Sequence, residues 1–343
     1  MEKLNLIDRK ERIWFWDTIK FLMMLLVVEG HCLERMMYFG RTDLMPMNLF
    51  IYSFHMPMFI FIFGIFYKEK NSLRKFISFL VSGYVLKVFS YFSALLINGK
   101  ATFTLFYDPG LTWFLFSLAW FILLAWLLRK IDKRIVLAVA FAVSLFTGYF
   151  KEINDFLCLS RTLVFFPYFW LGTMIDKDVL LTKLRKYRKY LWVPAMAVLL
   201  GWFAICVFRF NDVKIFAHLF SGKNPFSEAT HGMGCLYRLA TSGITLLVCA
   251  AILVVVPEKK IPIVSYLGRN TLNVYFWQYT FIYIIFRFVD MKQLIKTKEG
   301  ILLVLIIGLA LTFFLSLDIF NFPLKYINKF IMNFKPKKSD RSQ

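Results

Sequence analysis

Apolar runs of about 16 to 25 residues divide this chain, and a run of that length forms a helix long enough to cross a bilayer. Short clusters of Lys and Arg lie between them. Of the 343 residues, 59% are apolar and only 18% charged, against roughly 45–50% and 25% in a soluble domain. A formal charge of +21 and a pI near 9.8 would suggest nucleic acid for a soluble chain. A nucleic-acid binder gathers its cations on a hydrophilic face, whereas these separate membrane-length segments, so no nucleic-acid partner is expected. Cys32, Cys158, Cys206, Cys235 and Cys249 are scattered and form no Cys-x-x-Cys pair, a pattern of packing residues rather than of a disulfide framework or metal site.

The runs predict an all-α, polytopic integral membrane protein of about ten spans, near residues 13–35, 47–67, 76–98, 111–128, 135–150, 161–175, 191–209, 235–256, 263–288 and 300–320. With a cytoplasmic N-terminus, 26 of the 42 basic residues fall in inside segments and nine in outside ones, so the positive-inside rule puts both termini in the cytoplasm. The expectation is one membrane domain over 1–343, with residues 1–12 as a cytoplasmic N-terminal segment and 321–343 as a basic cytoplasmic tail. The first apolar stretch holds Asp17, Lys20 and Glu29 and lacks a small-residue cleavage site, which reads as a retained span rather than a signal peptide. No internal repeat and no broken helix of the kind transporters place near the midplane is evident.

Seven basic residues fall in or at the ends of spans: Lys20, Arg35, Lys87, Arg209, Arg238, Arg269 and Arg287. A central charge costs about 2.5–3.5 kcal/mol on insertion scales, so such residues are functional candidates. Arg35, Arg209 and Arg287 sit near outer ends, where a long side chain reaches the interface. Lys87 is deeper, and the sequence gives it no role. The longest outer loop, 210–234, carries His218 and His231 too far apart to ligate a metal from one helix.

The first span is the most polar, with Asp17, Lys20, Glu29, His31, Glu34 and Arg35. Lys20 and His31 are eleven residues apart, so at 100° per residue their directions differ by only about 20°. Asp17 lies about 60° to one side and Glu34 about 40° to the other, so the four share one arc. That arc must face protein or water. Glu29 points the opposite way and needs its own partner. His31 is the member of the stripe whose ordinary pKa lets it take and return a proton near neutrality. His55 lies at a similar depth on the next span, about 10–12 Å below the outer edge, so the two histidines can form one site.

These residues resemble the first-helix signature of the acyltransferase 3 superfamily, in which Arg or Lys is followed after ten residues by His. Asp17-Thr-Ile-Lys20 and Val27-Val28-Glu29-Gly30-His31 fit its W-x-D-x-x-K and V-V-x-G-H segments, and His55-Met56-Pro57-Met58-Phe59 its F-H-M-P-L-F run. Weaker likenesses are Thr112-Trp113-Phe114-Leu115, then Arg161-Thr162-Leu163 ahead of Phe166-Pro167-Tyr168-Phe169, and Leu267-Gly268-Arg269-Asn270-Thr271-Leu272 with Tyr275. Many relatives close the late motif with His, where this chain has Gln278. The bacterial branch it most resembles is that of fucose 4-O-acetylases and capsule O-acetyltransferases.

The resemblance implies transfer of an acyl group, usually acetyl, from acetyl-CoA or another acyl-CoA to a carbohydrate or glycolipid hydroxyl. It also implies residence in a bacterial cytoplasmic membrane among other proteins of cell-envelope glycan synthesis. His31 is expected as base or acyl relay with His55 beside it, and Lys20 and Asp17 on the cofactor side. Arg161, Glu34, Trp113 and Asn270 are expected on the substrate side. Trp113, Trp170, Tyr168 and Trp277 are candidates for stacking on a sugar ring in a chain whose aromatics mostly pack. The eleven residues from Lys20 to His31 span roughly 16 Å, comparable to an extended pantetheine arm, although Lys20 can equally pair with Asp17 at i, i+3. A non-enzymatic alternative is a transporter or flippase for a glycan or lipid-linked sugar, distinguished by tolerance of His31→Ala.

Overall fold

The computed structural model describes residues 2–108, 110–259 and 261–334, the side chains of 2–13 and of Asn98 excepted. The basic side chains expected to mark the N-terminal segment (1–12) and the end of the tail (335–343) lie outside the described residues. Every regular element among them is helical. In chain order these are α1 (Glu2–Tyr38), α2 (Met45–Tyr52), α3 (His55–Ile65), α4 (Ser72–Asn98), α5 (Trp113–Leu128), α6 (Lys133–Phe146), α7 (Leu159–Met174) and α8 (Lys177–Phe208). Three short helices follow, α9 (Phe210–Val213), α10 (Ala217–Phe220) and α11 (Glu228–His231), then α12 (Gly234–Val255), α13 (Pro262–Leu267), α14 (Thr271–Arg287), α15 (Met291–Leu294), α16 (Lys298–Leu315) and α17 (Leu324–Asn333). Among the described residues, five helical segments are long and apolar enough to cross a membrane: Thr42–Ile65, Ser72–Ile97, Lys177–Phe208, Gly234–Val255 and Lys298–Leu315.

The charged first helix sits inside the bundle, packed by α2, α3, α13, α14 and α16. That placement lowers the cost of its charges, because Asp17 is buried and Lys20 and His31 are half-buried among the neighbouring helices. Helices α3 and α7 cross closely. A Cβ on Gly64 would overlap the carbonyl of Phe169, and one on Gly172 the carbonyl of Phe61. Two facing glycines let the backbones touch, which is how membrane helices gain packing without a solvent-driven hydrophobic force.

Three spans differ from their expected form. The second, expected to run unbroken over 47–67, stops at Tyr52 and restarts at His55. Pro57 has no N–H to bond Ser53 four residues earlier, and that freed carbonyl accepts a 2.6 Å hydrogen bond from the Thr245 hydroxyl of α12. Trp202 Nε1 of α8 donates to the Ser53 hydroxyl at 2.9 Å. A broken helix is therefore present, contrary to the sequence expectation. The ninth span, expected over 263–288, breaks at 268–270. There Gly268 lies so close to the Asp17 carbonyl that any Cβ would overlap it. The seventh span, expected to start at 191, starts at Lys177, since Asp176 accepts from the backbone N–H of Asp178 (2.8 Å) and Val179 (3.1 Å) as N-cap. The Lys, Leu and Arg that follow are good helix formers.

Candidate functional site

Helix α1 presents His31 and Glu34 one turn apart, and the structure pairs them: His31 Nδ1 lies 2.9 Å from Glu34 Oε2. A carboxylate accepts, so Nδ1 carries a proton, and in the neutral imidazole that leaves the lone pair on Nε2. The second oxygen of Glu34 accepts a 2.6 Å hydrogen bond from the Tyr52 hydroxyl at the end of α2. Three residues on, the helix break places His55 at the start of α3, with its Nδ1 donating to the Ile51 carbonyl at 2.8 Å. Its ring stands edge-on to Tyr52 at a centroid distance of 4.8 Å. His31 in turn meets Tyr279 of α14 edge-on at 5.9 Å. Both histidines, Glu34 and Tyr52 line one cavity of about 270 Å³.

Arg161 and Trp113 line the same cavity, the guanidinium 4.9 Å above the indole ring. Arg161 is only 4% exposed and is held by Asp155 (3.6 Å) and by the Asp108 carbonyl (3.4 Å). Tyr275 donates to the Leu111 carbonyl, fixing the 99–112 segment against α14. Asp108 in that segment sits 3.8 Å from Lys87 of α4. Burial pushes the Asp108 carboxyl above its ordinary range, partly opposed by Lys87, the Gly110 N–H and Arg161. From the 210–234 segment, Phe220, Ser221 and Lys223 complete the wall, while His218 donates to the Pro225 carbonyl at 2.9 Å.

The other expected site residues lie toward the opposite end of the bundle. Lys20 pairs with Asp17 at 2.6 Å, and Arg269 from the 268–270 break approaches the same carboxylate at 3.7 Å. Asn270 donates to the Ser316 carbonyl (2.8 Å) and to Asp318 (2.9 Å). Tyr266, Asn270 and Asn321 all bond Asp318 and hold its carboxyl below the usual range. Nine residues separate Asn270 from Tyr279, about 13 Å along α14, so the structure does not bring Asn270 to the His31 cavity. Arg269 and Asn270 instead line a cavity of about 440 Å³ with Lys68, Lys75 and Lys325, and among the described residues no acidic side chain lines it.

Of the four aromatics proposed for stacking, Trp113 lines the His31 cavity. Trp170 and Trp277 donate to backbone carbonyls of Lys133 (2.9 Å) and Phe322 (3.0 Å), and act as packing residues. Glu29 faces Gly308 of α16, away from the stripe, and one of its oxygens is buried without a hydrogen-bond partner. Gln278 is fully buried with both amide atoms unpartnered, and nothing in the structure explains that. Among the described residues no group of three or more His, Cys, Asp or Glu side chains is placed to hold a metal ion.

Sequence reading missed Tyr52, Tyr279, Asp108 and Asp155. Tyr52 had a local signal, since it precedes His55 by one helical turn. The two aspartates lie in non-helical segments and offered none.

No curated protein and no solved structure matches the chain. A family model does: that of the acyltransferase domain matches residues 13–320, a stretch that takes in both histidines, Arg161 and the cationic cavity's Arg269. With that match covering most of its length, this helical membrane protein belongs to the acyltransferase 3 superfamily.

Proposed function

We propose that this chain is a membrane-bound O-acyltransferase that moves an acyl group, acetyl in the first instance, from a cytoplasmic acyl-CoA to a hydroxyl of a carbohydrate or glycolipid at the outer side of a bacterial cytoplasmic membrane. The observation that carries the reading is the Tyr52–Glu34–His31 chain of hydrogen bonds in a cavity that also holds Arg161. Glu34 fixes the His31 tautomer, so Nε2 can take the proton of the acceptor hydroxyl as its oxygen attacks the thioester carbonyl. The tetrahedral oxyanion then needs a donor, and Arg161 is the cation in that cavity suited to it. Collapse breaks the carbon–sulfur bond, and the coenzyme A thiolate leaves with the proton held by His31. His55, with Nδ1 committed to Ile51, orients the acceptor through its other nitrogen. Glu34, expected on the substrate side, has both oxygens engaged and takes the part of a positioning carboxylate.

Orientation follows the charge distribution: about ten spans in one domain, both termini cytoplasmic, and the cation-rich cavity of Lys68, Lys75, Arg269 and Lys325 on the inner side. Four cations without an acid suit the phosphates of coenzyme A. Lys20, about 16 Å from His31 along α1, borders the path of the arm between them. The broken second span does not favour transport, because the carbonyl it frees is occupied by Thr245 rather than open to a passing ion.

The test is labelled acetyl-CoA supplied to membranes, with mass spectrometry of surface glycans for the gain of one acetyl group. Wild type is expected to add it, and His31→Ala to lose transfer by about 10³-fold, within the usual range for a general base. Export of unmodified glycan that tolerates His31→Ala would overturn the reading.

A further inference from the structure

Lys87 is the deep basic residue for which the sequence offers no role, and it opens onto a cavity that the proposed chemistry leaves unassigned. A cavity of about 540 Å³ lies between the outer half of α4, the 99–112 segment and α14. That volume falls within the usual range of about 300–1,000 Å³ for small-molecule sites. Gly110, Leu111 and Tyr279 line both this cavity and the one holding His31, so the two adjoin through a shared wall. Tyr279 stands edge-on to His31 on one side and donates to the Tyr283 hydroxyl at 3.2 Å on the other.

The lining is chemically specific. Ser90, Ser93 and Thr102 offer hydroxyls, and Tyr91, Tyr279 and Tyr283 offer rings. Asp108, only 5% exposed, accepts from the Gly110 N–H through Oδ1 at 3.1 Å, whereas its buried Oδ2 has no hydrogen-bond partner. Lys87 Nζ is 3.8 Å from that oxygen, beyond hydrogen-bond reach, and donates instead to the Tyr107 carbonyl at 2.7 Å. A ligand hydroxyl can donate to Oδ2 and accept from the ammonium at once. The charges are balanced, Lys87 against Asp108 and Arg161 against Asp155, which disfavours an anion and suits a neutral polyol.

We infer that this cavity is the subsite for the sugar ring or rings that flank the reacting hydroxyl of a carbohydrate acceptor, with Asp108 and Lys87 reading ring hydroxyls and the tyrosines packing on ring faces. The inference rests on the acyltransferase reading of His31 and extends it to the acceptor.

The test uses the full chain in lipid nanodiscs with acetyl-CoA and a panel of simple aryl glycosides, following acetyl ester and free thiol. Wild type is expected to acetylate at least one glycoside with saturation. Asp108→Asn is expected to raise the KM for that glycoside about tenfold while lowering kcat much less, as loss of a charged hydrogen bond would. Ser93→Trp, which fills the cavity without touching Asp108, is expected to raise the same KM and guards against a folding defect in the first variant. Unchanged acceptor KM in both variants overturns the subsite. So does a wild type that hydrolyses acetyl-CoA through His31 yet acetylates no glycoside. Absence of any His31-dependent thioester cleavage would instead overturn the underlying acyltransferase reading.

Discussion

Among its described side chains, helix α1 carries two pairs at the same i, i+3 spacing, the Asp17–Lys20 ion pair at 2.6 Å and the His31–Glu34 hydrogen bond at 2.9 Å, and they lie in different surroundings. At the first, the break at 268–270 brings Arg269 to the same carboxylate, and among the described residues every charged side chain lining the cavity beyond is a cation. At the second, a phenol rather than a cation fills the spare carboxylate oxygen, and the nearby Arg161 is paired with Asp155. Excess positive charge attracts a polyanion but cannot set a proton's position. A neutral donor on Glu34 leaves its charge to act on His31. Under the proposed function, identical spacing along a helix thus serves an anion-attracting end and a proton-transfer end, according to what the neighbouring helices contribute.

The contrast is broken most directly at Glu34. Glu34→Gln keeps the shape but removes the charge that fixes the imidazole, and steady-state kinetics should show kcat falling about 10²-fold or more with little change in acyl-CoA KM. A Gln variant with wild-type kcat would reduce the two pairs to equivalents. The next effect belongs to the other end. Replacing Lys68, Lys75 and Lys325 together by Gln should raise the acyl-CoA KM by about tenfold, far more than it lowers kcat, since phosphate contacts are lost before the chemistry begins. The same triple change leaving the KM intact would remove the donor from that cavity. The smallest effect lies between the ends. Thr245→Val leaves the freed Ser53 carbonyl unpaired, and thermal unfolding in nanodiscs should show a loss of about 1–3 kcal/mol. A change of kcat beyond that expected from stability would mean that the break also positions His55.

The sequence by itself determined the class of this protein and the side of α1 that matters. Run length requires helices in a bilayer, because a lipid-exposed backbone must satisfy its own hydrogen bonds, and helical periodicity puts Asp17, Lys20, His31 and Glu34 on one stripe whatever surrounds them. It also signalled His55, through its depth on the next span and through its motif. Local pattern does not extend to where helices break when the compensating group is remote. Pro57 marks a freed carbonyl, but the hydroxyl that takes it belongs to Thr245, nearly 200 residues away in the chain. Nor does it extend to which loop residues fold back between helices. Asp108 and Asp155 enter the site from irregular segments with no period to reveal them, and Lys87 acquires a partner only when α4 and the 99–112 segment are packed together. Tertiary structure decided these matters because a buried polar group is stable only beside its partner, and partners from distant parts of the chain meet only in the folded bundle.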